Sequence, residues 1–263
     1  MTGARGIVSI GVAGVLGPDL IGELAPAAER AGFHTLWVND TPGGDALAAL
    51  VAAAARTRTL RLATGVVPVD RRSADTVARA ARDLPEGRLT IGIGSGSART
   101  GTLDLVRDAI ATLRAQTSAR IVVGALGPRM SHLAVTEGDG IVLNWLTPDA
   151  AARQSADLHA VAPRTHVALY VRTALDEPSR ARLEDEASRY GRVPAYAANF
   201  ARLGFGPLQA VLPQPGDDAI AAGVTAYADA VDEVVLRAVT ATDDLDAYLA
   251  FIERTGPLMT TPS

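Results

Sequence analysis

The chain contains no cysteine and no lysine. The first absence excludes disulfides, thiolate metal sites and a cysteine nucleophile. The second excludes Schiff-base chemistry and any lysine-bearing phosphate loop. Histidine is sparse: His34, His132, His159 and His166 lie far apart, no pair has helical ligand spacing, and no metal site is expected. No apolar run reaches the ~18 residues that span a bilayer, because the Ala-rich stretch 46–55 is followed at once by Arg56 and Arg58. The arginines are scattered over a chain of net charge -4, which leaves no footprint for nucleic acid and no polybasic membrane face. Residues 1–6 lack the basic-then-apolar pattern of a secretory leader, and with the missing cysteines this points to the cytoplasm.

What is present is a repeated alternation of apolar strands and amphipathic helices in 263 residues, enough to bury a large core. Strands are expected at 7–12, 35–38, 60–69, 89–94, 120–126, 140–146, 166–174 and 233–239. Helices are expected from Leu20 to the cap at Gly32, then at 45–55, 73–84, 102–115, 129–136, 148–159 and 244–253. Between the seventh and eighth strands the rhythm breaks into a long, mostly helical passage, 177–229, interrupted at 191–194 and 204–207; after the last helix a Pro/Thr tail is expected to fray. Eight strands, nearly all ending in polar or glycine residues, predict an α/β fold of the (β/α)8 TIM-barrel type in one domain, 1–263, with a helix-rich insertion before the last strand. An open doubly wound sheet is the alternative, since both folds bury their strands on two faces.

The organising stretch runs from Arg88 to Ser97, where Gly92, Gly94 and Gly96 alternate through and just beyond a strand. Glycine weakens an ordinary strand, so either the barrel interior is tightly packed there or a ligand lies against the backbone. The spacing is not that of a dinucleotide fingerprint. Asn39 and Asp40 end the second strand. At a barrel mouth Asp40 can accept a hydrogen bond or a proton, or it can simply cap the following turn. Gly65 in the third strand suits a kink. Arg71 and Arg72 can meet an anion, but adjacent arginines more often form a solvated face. Gly127, Pro128 and Arg129 open a helix whose free N–H groups suit an anion, although they also read as an ordinary helix start. Asn144 to Thr147 form a polar strand exit in which Trp145 reads as core.

Taken together, these segments resemble the luciferase-like monooxygenases, the flavin- and deazaflavin-dependent oxidoreductases related to bacterial luciferase. The resemblance rests on residues 25–40, Leu62 to Val66 followed by Arg71 or Arg72, Gly87 to Leu89 with Gly92 to Gly96, Gly127 to Met130, Leu133 with Ala134, and Asp139 with Gly140; the C-terminal third matches loosely. It implies FMN or the deazaflavin F-420 at the C-terminal mouth of the barrel, a non-prolyl cis peptide at Gly65–Val66 behind the ring, and Asp40 with Asn39 near it. Gly94, Gly96 and Ser97 would also contact the cofactor, and Gly127, Pro128 and Arg129 with Asn144 and Thr147 would hold its phosphate. Related sugar-phosphate dehydrogenases carry a His where this chain has Thr41 and a Glu where it has Ser97, so that activity is not expected. A lid insertion after Gly96 is missing, and Tyr190, Tyr196 and Phe200 are the candidate substrate contacts. The implied activity is hydride transfer with a small organic substrate. The alternatives are FMN-dependent oxygenation, or cofactor binding without catalysis. The absence of residues that shield an oxygenated flavin favours the deazaflavin, and the oligomer considered is a homodimer.

Overall fold

The computed structural model describes residues 6–212 and 216–256. The Pro/Thr tail lies outside them. The elements run β1 (Ile7–Ala13), α1 (Gly17–Arg30), β2 (Thr35–Asn39), α2 (Ala46–Ala54), β3 (Arg61–Thr64), β4 (Val67–Pro68), α3 (Ala74–Ala81), β5 (Leu89–Gly94), α4 (Thr102–Gln116), β6 (Arg120–Gly124), α5 (Pro128–Glu137), β7 (Gly140–Asn144), α6 (Pro148–Val161) and β8 (His166–Thr173). After the insertion helices α7 (Glu177–Arg192), α8 (Pro194–Leu203) and α9 (Asp217–Ala228) come β9 (Glu233–Ala238) and α10 (Leu245–Thr255).

Every strand pairing is parallel, and the order β3-β2-β1-β9-β8-β7-β6-β5-β4 is closed on itself by pairing of β3 with β5. β3 and β4 are two halves of the strand expected at 60–69. They are separated at the Gly65–Val66 peptide, which is cis. Counting them as one gives the eight positions of a (β/α)8 barrel, and closure excludes the open sheet.

Polar residues at the strand exits start the helices. Asp45, Ser73, Thr147, Asp176 and Asp244 each accept a backbone N–H from the first turn of α2, α3, α6, α7 and α10, and each such cap is worth about 1 kcal/mol. β6 and β7 end earlier than expected. In β7 the cause is Trp145, whose φ of 58° is left-handed and turns the chain out of the extended conformation.

Alternation divides each strand between two environments. One parity, including Ile10, Leu36, Leu62, Ile91, Ile121, Ile141, Leu169 and Leu236, packs outward under the helices. The other fills the barrel: Trp37, Ala63, Val122, Val142, Ala168, Tyr170 and Val235, with Val66 packed on them. The N-terminal end of the interior is closed by polar contacts. Ser9 Oγ and Trp37 Nε1 donate to Glu233 Oε1 at 2.5 and 2.7 Å, and His166 Nε2 lies 2.7 Å from Glu233 Oε2. A third apolar group, Trp145, Ala174, Leu183, Ala187, Phe200, Ala210, Val211 and Val239, packs the insertion against the residues that follow β7, β8 and β9. The insertion therefore sits at the C-terminal end of the barrel.

Candidate active site

The two halves of the broken strand meet β5 at the C-terminal end of the barrel. A Cβ on Gly65 would lie 1.9 Å from Tyr170 Oη, so no side chain fits there. Asn39, at the end of β2, donates its Nδ2–H to the Gly65 carbonyl. Val66 fills the space left by three glycines: Cβ atoms on Gly92, Gly94 and Gly124 would stand 3.1, 2.9 and 3.2 Å from its methyls. A Cβ on Gly92 would also come within 2.1 Å of the Thr64 carbonyl oxygen. Of the two readings of the alternate glycines, interior packing is what these contacts display at Gly92 and Gly94. Gly96 differs, with φ +64° and the Asp70 carboxylate 1.8 Å from its Cβ position. Ser97 donates both its N–H and its Oγ–H to Asp70 Oδ2, each at 2.8 Å. Gly96 and Ser97 thus wrap an aspartate on the outside of the loop.

The Asp40 side chain has no exposed surface. Arg71 Nη2 donates to its Oδ1 at 3.0 Å and to its backbone carbonyl at 2.5 Å, and Arg72 Nε lies 3.5 Å from Oδ2. Burial pushes this carboxyl above its usual range, and Arg72 and Arg71 oppose that without reversing it. Capping of α2 falls to Asp45, which also pairs with Arg72 at 2.8 Å. Arg71 and Arg72 are therefore not a free anion site, although Arg71 stays exposed on its outer side. They are tied to Asp40.

Gly127 caps α5 with extended backbone, its Cβ position is open, and Pro128 occupies the first turn. A cleft of about 750 Å3 joins this helix start to that of α4 and is lined by Arg99, Gly101, Thr102, Gly127, Pro128 and Arg129 among others. Arg99 and Arg129 are exposed and make no ion pair among the described residues. Two helix N-termini and two arginines in one cleft suit a phosphate. Asn144 and Thr147, expected to reach the same point, do not line it. Asn144 Oδ1 instead accepts from Arg172 Nη1, and Thr147 Oγ1 is engaged by the Ala150 N–H.

The groups that the sequence reading missed are on the last two strands and α7. Arg172 and Arg237 follow the interior residues Tyr170 and Val235 by two positions, so both share the inward parity, and they are register partners across β8 and β9. Their signal was a charge on the inward parity of a strand otherwise apolar at that level. Arg172 is 5% exposed, pairs with Glu186 Oε1 of α7 at 2.8 Å, and stacks 4.0 Å from the Trp145 ring centroid and 4.9 Å from that of Tyr190. Burial pushes Glu186 up, but Arg172 and Arg237 outweigh it and hold this carboxylate below its usual range. Tyr196 hydrogen-bonds Asn144 and packs edge-on against Tyr190 with ring centroids 4.7 Å apart, while Phe200 meets Trp145 at 6.1 Å. The three aromatic residues expected at the substrate side thus gather with Trp145 at the barrel mouth. Trp145 is core, as expected, and also a wall of this cluster.

Among the described residues, buried side-chain polar atoms with no hydrogen-bond partner are few and concentrated. Five of the seven, Asn39 Oδ1, Asp40 Oδ2, Thr41 Oγ1, Trp145 Nε1 and Tyr170 Oη, stand at the C-terminal ends of the strands or one turn below. Burial raises the Tyr170 phenol far above its ordinary range, with Arg237 opposing, so it is a hydrogen-bond donor at any physiological pH.

The sequence pattern of the luciferase-like monooxygenases matches residues 10–104, which run from β1 into the start of α4. No curated protein matches the chain in sequence. Among solved structures, an F-420-dependent secondary alcohol dehydrogenase in complex with an F-420–acetone adduct superposes with a TM-score of 0.76 at 14% identity, covering 98% of this chain and 100% of the other. The coenzyme F-420-dependent tetrahydromethanopterin reductase of Methanopyrus kandleri gives 0.73 at 15%, covering 96% and 97%. EDTA monooxygenase from Chelativorans sp. BNC1 gives 0.71 at 11%, covering 97% and 93%. At such identities these likenesses speak for the fold alone. The family pattern thus covers residues 10–104, and over nearly its whole length the chain is similar in fold to the luciferase-like barrels.

Proposed function

We propose that this protein is an oxidoreductase that uses F-420 or FMN to move hydride to or from a small organic substrate at the C-terminal mouth of the barrel. The observation that carries the reading is the concentration of buried polar atoms without hydrogen-bond partners at the C-terminal ends of the strands, with Asn39 and Tyr170 at Gly65 itself. A buried donor or acceptor left unpaired costs ~1–3 kcal/mol, so the four besides the ion-paired Asp40 suit a polar ligand that meets them.

A flavin or deazaflavin bound at this end would supply the hydride chemistry. The chain's own groups would do the rest. In this reading Gly65 and Val66 back the ring, and Asn39, which holds the Gly65 carbonyl, keeps that wall in place. Gly94, Gly96 and Ser97 border it. The cleft of Gly127, Pro128 and Arg129, with Arg99, receives the phosphate, where free N–H groups and two guanidiniums neutralise charge. Asn144 and Thr147 shape the neighbouring strand exit, and Asp40 acts by orienting Arg71 and Arg72. Tyr170 Oη keeps its proton and donates to a polar atom of the bound pair.

Titrating the purified protein with FMN and with F-420, read by absorbance and fluorescence, tests the reading. Saturable binding of one of them is expected. Binding of neither would overturn it, and binding without turnover in the presence of any electron donor would leave only a non-catalytic carrier. Oxygenation by bound FMN is the second reading, and it predicts oxygen uptake with reduced FMN.

A further inference from the structure

The last two strands put two like charges side by side. Arg172 and Arg237 are direct register partners on the inward parity of β8 and β9, an arrangement that is unfavourable unless something anionic lies between them. One carboxylate is at hand, Glu186, and it is committed to Arg172 Nε at 2.8 Å. Asn144 and the Trp145 and Tyr190 rings hold the remainder of the Arg172 guanidinium. Arg237 has no carboxylate within ion-pair distance among the described residues; its Nη1 donates only to the neighbouring Ala238 carbonyl. Arg189 of α7 acts on Glu186 as well, so positive charge is in excess around this one acid. The unpartnered Tyr170 Oη stands one inward step below Arg172.

We propose that Arg237 is the seat for the carboxylate of the substrate, which is therefore a small organic acid. A guanidinium fork matches a carboxylate bidentately. The bound carboxylate also relieves the repulsion between the two arginines. A phosphate is the other oxyanion that suits arginine, but the cleft at the starts of α4 and α5 already offers one a place, with Arg99 and Arg129 unpaired. Arg237 is a specificity residue in this assignment, which rests on the mouth being the reaction site.

The test uses the protein without cofactor, so that its outcome is separate from that of the cofactor titration. Benzoate and pyruvate are titrated calorimetrically, with methyl benzoate and inorganic phosphate as controls. The two carboxylates are expected to bind saturably, the ester not at all and phosphate without displacing them. Arg237→Met should weaken carboxylate binding at least tenfold and leave FMN or F-420 binding unchanged. Arg237→Lys, which keeps the charge and loses the fork, should fall between. A second readout separates a seat from a structural arginine: with the like-charge neighbour removed, the Arg237→Met melting temperature without carboxylate should equal or exceed that of the parent. No carboxylate binding by the parent, equal binding by Arg237→Met, displacement by phosphate, or a melting temperature lowered by several degrees would each overturn the assignment.

Discussion

Gly65 and Tyr170 illustrate how tightly the mouth is specified by single side chains. A methyl on Gly65 would overlap the Tyr170 hydroxyl, so Gly65→Ala should destabilise the protein by about 1–3 kcal/mol through overpacking. Tyr170→Phe removes a buried hydroxyl that has no partner and should stabilise the cofactor-free protein by about 1 kcal/mol while slowing turnover. Combined, the two changes should cost somewhat less than their sum, because phenylalanine removes the oxygen at 1.9 Å while the ring carbon at 2.6 Å still crowds the methyl. Urea unfolding of the two single variants and the double variant measures that coupling. At Gly127 the expectation is reversed. Its Cβ position is open, so Gly127→Val should fold like the parent, and under our assignment it should weaken cofactor binding by crowding the phosphate. Arg129→Ala should do so more mildly, since the backbone N–H groups of α5 remain. Fluorescence titration with circular dichroism as folding control decides, and unchanged affinity in both variants would make this loop a plain helix start.

The elements are joined by buried or shielded carboxylates, and their titration gives stability a direction with pH. Glu29 on α1 accepts the backbone N–H groups of Arg58, Thr59 and Leu60 and the Thr59 hydroxyl, pinning the approach to β3 onto the helix. Partial burial raises its pKa, but these hydrogen bonds outweigh that and bring it down to about 2. A depressed carboxylate contributes stability above its unfolded pKa near 4.5 and loses it as pH falls toward the folded value. Glu233 behaves in the same sense: burial raises it, yet the bonds from His166, Ser9 and Trp37 leave it below the usual range. The protein should therefore lose stability progressively below about pH 4.5, as the carboxylates take up protons. Glu29→Gln should cost about 1 kcal/mol at pH 7 and nothing near pH 2. Glu233→Gln, which breaks a buried set of contacts, should cost about 3 kcal/mol at pH 7. Urea midpoints across pH 2–7 for parent and variants check the sign and the window.

At the scale of the whole molecule, a ligand that binds the closed barrel and not the unfolded chain shifts the folding equilibrium by mass action. At a hundred times its dissociation constant the cognate cofactor should add ~2.7 kcal/mol. For a chain of this length that is a rise of roughly 5–10 °C in melting temperature. Scanning calorimetry with FMN and with F-420 in turn should display the rise for one of them, and no rise for either would argue against a cofactor site in the barrel.

The barrel was legible in the chain because it depends on local pattern: the period of the apolar residues, the capping residues after each strand and the count of strand-helix units all act over a few residues. The break at Gly65, the Trp145 core position and the aromatic group from the insertion were legible for similar reasons, the first through its resemblance to a known family. The partners were not. Asp40 read as an acceptor at the mouth or as a turn cap, and the fold adds Arg71 and Arg72 around it; Ser97 read as a cofactor contact, and the fold adds Asp70 beside it. Asn144 was directed toward the phosphate, yet closure of the barrel set it beside Arg172. Arg172 and Arg237 escaped notice because strand parity could place each on the inward face but nothing in the sequence said what stands opposite. That is settled by register. The residues themselves determined strands, helices and their number, since backbone conformation answers to near neighbours. Closure alone decided which charges meet at the mouth, because residues 65 positions apart become neighbours only when β8 and β9 pair.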